Sequence, residues 1–127
     1  MWRRFVSDLV RFTIPGKPQG KERPRLSKGG LVYTPRATKR YECAMAWAAL
    51  GARPLSWALT GHFRVEVVCY FPDNRRRDGD NVLKAVLDGM QGVLYDDDSQ
   101  VTFALVIKNV DRERPRTEVM VYAENHT

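Results

Sequence analysis

The sequence predicts an α+β fold, in which a mixed or largely antiparallel sheet carries two helices packed on one face. Apolar residues alternate in four stretches, as in half-buried strands, and recur at helical spacing in two others. The order along the chain is strand, basic arm, helix, strand, helix, strand, strand, which is typical of helices gathered on one side of a sheet. The 127 residues contain no repeat or separable linker, so we expect one domain spanning residues 1–127.

The first strand is predicted at residues 10–14, where Val10, Phe12 and Ile14 alternate with polar residues before Pro15 interrupts the pattern. Residues 17–40 then form a basic loop or hairpin arm, with a short extended piece near its middle. The arm is too polar for the core, so it is either mobile surface or a segment ordered by phosphate contacts. We favour phosphate contacts, made by Lys17, Lys21, Arg23, Arg25, Lys28, Arg36, Lys39 and Arg40.

The first helix is predicted to begin with Thr34 as N-cap and Pro35 at the first helical position, and to end at Gly51. Its residues recur at helical spacing on a narrow face suited to close packing. That face consists of Tyr41, Ala44, Met45 and Ala48.

The clearest strand is predicted at residues 62–71, where every second residue is apolar, and it leads directly into a charged motif. Residues 101–107 and 119–121 alternate in the same way. Because the charged turn at residues 111–116 joins them, we interpret these last two strands as a hairpin.

Residues 73–100 form the motif DNRRRDGDNVLKAVLDGMQGVLYDDDSQ. Asp78 and Asp80 flank a glycine, which leaves space for two carboxylates to converge on one ion. The apolar residues that follow recur at helical spacing from residue 81 to residue 91. Lys84 lies four residues after Asp80, so we expect the two side chains to be neighbours on the polar side of this second helix.

A second acidic cluster, Asp96 to Asp98, follows the second helix. Three adjacent like charges are either a solvated loop or ligands of a cation that compensates them. Because the first pair of acids precedes the same helix, we favour the second interpretation. We therefore expect folding to bring acids of this second cluster close to Asp78 and Asp80, in one site for divalent ions.

The charge distribution indicates a polyanionic substrate. Residues 1–40 contain 11 lysines and arginines against 2 acids, whereas residues 73–98 contain 4 against 7. A basic surface beside an acidic pocket suits a metal-dependent enzyme that acts on a nucleic acid. No apolar run approaches the roughly 20 residues of a membrane span. The start of the chain lacks signal-peptide features, and Cys43 and Cys69 lack partners at metal-ligand or redox spacing, so we expect reduced core thiols in a cytoplasmic protein.

Four motifs together resemble the RusA family of Holliday-junction resolvases. They are IPGKPQGKERPR, VYTPRATKRYE, RRRDGDN with Lys84 and Asp88 after it, and YDDDSQV, which together extend from about residue 14 to residue 110. The resemblance implies a homodimeric, Mg²⁺-dependent endonuclease that resolves four-way DNA junctions by paired symmetric nicks in recombination and repair. By position, its essential carboxylates fall on Asp78, Asp80 and Asp98, with Asp97 as an adjacent ligand, and its lysine falls on Lys84.

We further hypothesise that Arg75, Arg76 and Arg77 bind the DNA backbone beside the scissile phosphate. Mn²⁺ is expected to substitute for Mg²⁺, and no organic cofactor is expected. Two alternatives remain open at this point. One is a nuclease of broader preference that cuts flaps or other branched DNA, and the other is a non-catalytic architectural protein that binds junctions.

Overall fold

The computed structural model describes residues 9–124 and has the predicted α+β architecture. Two helices, α1 (Arg36–Ala52) and α2 (Gly79–Met90), accompany six strands, and a short 3-10 helix spans Asp98–Gln100. The strands are β1 (Leu9–Pro15), β2 (Arg25–Leu26), β3 (Val32–Tyr33), β4 (His62–Phe71), β5 (Val101–Val110) and β6 (Arg116–Glu124).

Four strands form a mixed sheet in the order β1-β6-β4-β5, and β2 pairs with β3 in a separate small hairpin. β4 pairs with β5 in parallel and with β6 antiparallel, and β6 also pairs with β1 antiparallel. The core lies between the helices and one face of this sheet. Alternate residues of β4 point into it, as the alternation of apolar residues predicted, and these are Phe63, Val65, Val67, Cys69 and Phe71.

The predicted hairpin of the last two strands is wrong, because β4 lies between β5 and β6. The charged connection crosses the end of β4, where the backbone N–H of Asp111 donates to the carbonyl of Phe71 at 2.8 Å. Neighbouring strands are about 4.8 Å apart, so the five residues between β5 and β6 easily span two strand spacings. A short polar connection is therefore compatible with either topology.

The buried face expected for residues 101–107 is also not formed, because β5 is an edge strand. Phe103, Leu105 and Ile107 are 41–44% exposed. They pair in register with Arg64, Glu66 and Val68, so they lie on the sheet face opposite the helices. β5 thus presents both an apolar side and an unpaired strand edge within the described part of the chain.

Helix α1 starts later than predicted. Pro35 rather than Thr34 is the N-cap residue, and no side chain caps the first turn. The buried stripe is correspondingly displaced and consists of Thr38, Tyr41, Met45 and Ala49, whereas Ala44 is exposed. The expectation of two core thiols is wrong for Cys43, which is exposed on this helix, and is confirmed for Cys69.

The two helices approach each other closely at Gly89. A Cβ atom there would lie 2.7 Å from the Cβ of Met45 and 2.9 Å from the carbonyl oxygen of Glu42. Gly89→Ala is therefore expected to lower the free energy of unfolding by about 1–3 kcal/mol, because the backbone of α1 must shift. Urea denaturation checks this. Gly51→Ala is the matched control, since a Cβ at this helical glycine meets nothing within 4 Å and stability should rise slightly.

Neither helix within residues 9–124 has the length and apolar character needed to cross a bilayer. Residues 1–8, on which the expectation about a signal peptide mainly rests, lie outside the described residues.

Candidate active site

Two of the predicted acids, Asp78 and Asp80, lie together at the N-terminus of α2. Asp78 is the N-cap residue, and its Oδ1 accepts hydrogen bonds from the backbone N–H groups of Asp80, at 2.9 Å, and Asn81, at 3.4 Å. Asp80 occupies the first turn, where the helix dipole favours negative charge. Both residues are exposed, so their remaining carboxylate oxygens face solvent and are available to a ligand.

Asp78 and Asp80 line an open cleft of about 560 Å³ together with basic side chains from two directions. Arg76 precedes the acids in sequence, whereas Lys108 reaches the cleft from β5 and donates from Nζ to the carbonyl of Arg77 at 2.9 Å. Sequence reasoning missed Lys108. The residue follows the apolar run of its strand by one position, but only the β4–β5 pairing places it beside the acids.

Gly79 packs against β5. A Cβ at this position would lie 3.4 Å from both the Lys108 Cδ and the Val106 Cγ1 atoms. The absence of a side chain therefore lets the start of α2 approach β5 closely. This contact fixes the distance between Lys108 and the acidic pair.

The three consecutive arginines differ in their surroundings. The Arg77 guanidinium is bound by Asp73, with 2.9 Å between Nη1 and Oδ1, and lies 5.0 Å from the centroid of the Phe71 ring. This ion pair lowers the pKa of the Asp73 carboxyl and fixes the turn after β4. The Arg75 Nε atom also lies 3.8 Å from the Asp73 Oδ2 atom, but Arg75 and Arg76 are both exposed and can therefore reach a substrate.

Lys84 is exposed, and no carboxylate in residues 9–124 lies within ion-pair distance of its ammonium group. The expected neighbour pair with Asp80 is therefore not formed. Asp88, further along α2, is instead bound by Lys21 of the basic arm, which also lies 3.9 Å from Glu42. The hydrogen bond with Asp88 raises the pKa of Lys21, and burial raises the pKa of Glu42.

The arm is attached to the active-site helix at its base. The backbone N–H of Lys21 donates to the carbonyl of Asn81 at 3.0 Å, and Lys17 lines a second cleft that also contains Asp78 and Arg76. Most basic residues of the arm point into solvent. The exposed ones are Lys17, Arg23, Arg25 and Lys28 before α1, and Arg36, Lys39 and Arg40 within α1, so the arm ends at residue 35 and not at residue 40 as predicted.

The second acidic cluster precedes β5 and is fixed to a different part of the molecule. The Oδ2 atom of Asp97 accepts hydrogen bonds from the Ser99 hydroxyl and, at 3.3 Å, from the backbone N–H of Ser99. These two hydrogen bonds, the hydroxyl's first, lower the pKa of Asp97. The Gln100 amide donates to the carbonyls of Leu59, at 2.8 Å, and Gly61, at 3.0 Å. Asp96, Asp97 and Asp98 therefore lie beside the start of β4.

The two acidic clusters lie at opposite ends of β5. Asp98 directly precedes the start of the strand, whereas Asp78 and Asp80 share a cleft with Val106 and Lys108. Val101 and Val106 are five residue steps apart along the strand, a distance of about 17 Å. Within residues 9–124, no three acids, cysteines or histidines converge on a common point that a metal ion could occupy. One chain therefore brings Asp78 and Asp80 together and leaves Asp97 and Asp98 apart from them.

The amino-acid sequence is similar to those of known proteins over most of its length. Residues 15–122 match the family model described as Endodeoxyribonuclease RusA. "Uncharacterized protein YqaN" of Bacillus subtilis (strain 168) is 30% identical over 138 residues, which cover 90% of this chain and 96% of the relative. "Crossover junction endodeoxyribonuclease RusA" of Shigella sonnei (strain Ss046) is 29% identical over 118 residues, which cover 87% and 91% of the two chains.

Proposed function

Because the chain belongs to the RusA family of endodeoxyribonucleases, we propose that it is a divalent-metal-dependent enzyme that resolves four-way DNA junctions in recombination and repair. Enzymes of this family hydrolyse DNA phosphodiester bonds. The finer assignment is a homodimer that uses Mg²⁺ to introduce two symmetric nicks, one from each subunit. The observation that carries it is the exposed pair Asp78 and Asp80 in a cleft with basic side chains on either side.

The donor set suits Mg²⁺. This ion is bound by hard oxygen ligands and commonly takes one or two carboxylates, with water and substrate phosphate completing its coordination. Asp78 and Asp80 supply two such carboxylates with free oxygen atoms. When bound, the ion supplies Lewis-acid stabilisation of the phosphate and lowers the pKa of an attacking water.

A second subunit completes the proposed set of ligands. The unpaired edge of β5 can pair antiparallel with the same edge of another copy, and the exposed apolar side chains of both strands then cover one another. If the two-fold axis passes through the level of Leu105, Thr102 of the partner subunit lies opposite Lys108. Asp97 and Asp98 of the partner subunit then approach Asp78 and Asp80, which lie too far from the same residues of their own chain.

The cationic side chains have separate roles in this site. Lys84 lies one turn after Asp80 on α2, so its exposed ammonium stabilises negative charge on the phosphate in the transition state. Lys108 holds the carbonyl of Arg77 and so positions the segment that carries the acids. Arg75 and Arg76 contact the DNA backbone beside the cleaved bond.

Cleavage of a synthetic immobile four-way junction tests this function. The wild-type protein with Mg²⁺ is expected to make paired nicks, and the same protein with chelator is expected to bind without cutting. Binding without cleavage in both Mg²⁺ and Mn²⁺ would support an architectural protein instead. Equal cutting of flap and linear duplex controls would support a nuclease of broader preference.

Removal of the two exposed arginines should change the salt dependence of binding. Each phosphate contact contributes about −0.9 to the slope of log K against log salt, so Arg75→Ala/Arg76→Ala should make the slope shallower by about 2. Junction affinities measured at salt concentrations from about 50 to about 200 mM check this. Arg11→Ala on β1, at the other edge of the sheet, is the control and should change the slope less. An unchanged slope in the double variant would remove these arginines from the interface.

A further inference from the structure

We infer that the β2–β3 hairpin contacts unstacked bases at the branch point of a DNA junction through its apolar side chains. This inference rests on the proposed function, since it assigns a specificity role to the arm of that same enzyme. Exposed apolar residues and basic residues lie side by side on this small, internally hydrogen-bonded hairpin.

The hairpin exposes an unusual amount of apolar surface. Leu26, Leu31 and Val32 are 70%, 73% and 69% exposed, and Tyr33 is 46% exposed. Leu26 pairs in register with Val32, so these two side chains share one face, whereas Arg25 pairs with Tyr33 on the other. Isolated exposed apolar residues are ordinary, but three on two short paired strands and a fourth directly before β3 indicate a contact surface.

The hydrogen bonds of the turn are made within the hairpin itself. The hairpin is therefore held together without burying its apolar side chains. The backbone N–H of Ser27 donates to the carbonyl of Leu31 at 2.8 Å, and the N–H of Leu31 donates to the Ser27 hydroxyl at 3.1 Å. Gly30 closes the turn with a φ of 83°, a conformation that favours glycine. The apolar residues are thus presented on a defined strand pair that is attached to the domain through its base at Lys21 and Glu22.

The charge of the surrounding arm identifies the partner as a polyanion. Residues 17–35 contain five lysines and arginines and one acid, and three more basic residues follow in the first two turns of α1. A phosphate backbone satisfies these cations, but an intact duplex offers apolar side chains no base faces, because its bases are stacked. A branch point offers base faces beside phosphates, and apolar side chains are known to insert at weakened base steps. The hairpin therefore fits the centre of a DNA junction better than it fits one of the duplex branches.

The test uses the full-length variant Leu26→Ser/Val32→Ser and junctions that carry the fluorescent base 2-aminopurine at the branch. Wild-type protein is expected to raise the fluorescence by unstacking that base, and the variant is expected to lose this rise. Junction affinity of the variant should fall about tenfold, with little change for linear duplex. Leu55→Ser is the matched control, because Leu55 is fully exposed outside the arm and should behave as wild type.

Each result is decisive. An unchanged fluorescence rise in the double variant would overturn the inference, as would a change in its subunit number by light scattering, which would assign the hairpin to a protein interface. If the wild-type protein binds no junction, the proposed function itself is wrong. Thermal unfolding of the variant should match wild type, because both substituted side chains are exposed.

Discussion

Asp80→Asn is expected to abolish junction cleavage while leaving junction binding intact. The substitution keeps the size of the side chain and removes the negative charge that a divalent ion requires. Loss of several kcal/mol of transition-state stabilisation corresponds to a decrease in the single-turnover rate on the order of 10³-fold. Binding should be unchanged or slightly tighter, because one negative charge next to the DNA backbone is lost.

Cleavage rates and gel-shift affinities measured on the same junction separate these two effects. Glu113→Gln is the control, since Glu113 is an exposed acid on the β5–β6 connection and should retain wild-type activity. The fold should tolerate Asp80→Asn, because the cap of α2 is made by Asp78. Cleavage by Asp80→Asn within about threefold of wild type, a difference below 1 kcal/mol, would show that Asp80 is not a metal ligand.

Mixed dimers are expected to reveal whether one site draws on two chains. A heterodimer of one Asp80→Asn chain and one Asp98→Asn chain should regain one intact site, because the unaltered residues would meet across the proposed β5–β5 interface. Its nicking rate should be about half that of the wild-type dimer, with single nicks replacing paired ones. Each variant alone should be inactive as a homodimer.

The reciprocal heterodimer provides the control. A wild-type chain paired with an Asp80→Asn/Asp98→Asn chain contains the same number of altered residues, yet it should have no complete site if Asp98 acts in the other subunit. Distinct affinity tags on the two chains allow each heterodimer to be purified. If this second heterodimer cuts and the first does not, all ligands belong to one chain and the proposed interface is wrong.

Local periodicity predicted the elements well. Strand β4 was expected at residues 62–71 and occupies His62–Phe71, because its alternating apolar residues all face one core. Periodicity could not identify the pairing partner of a strand, which is why the hairpin of β5 and β6 was wrong. It also overestimated burial on β5, since alternation shows which residues share a face but not whether another element covers that face.

The candidate site was partly predictable for a similar reason. Asp78 and Asp80 are only two residues apart in the sequence and lie at the N-terminus of one helix, so their closeness could be predicted from the sequence alone. Lys108 and Asp98 depend on long-range topology. The chain leaves the acidic pair through α2 and returns at the other end of the sheet, so a parallel strand carries Lys108 towards the acids and leaves Asp98 remote. Whether Asp97 and Asp98 act at this site stays a prediction.

The contrast between the two cysteines offers a practical way to follow the protein on DNA. Burial raises the pKa of the Cys69 thiol to about 11, so little thiolate is present there near neutral pH. Cys43 is exposed on α1, so a maleimide dye should attach to it selectively in the folded wild-type chain. In the proposed dimer, a single labelled position per subunit would then report the spacing between the two chains by energy transfer without any engineered substitution.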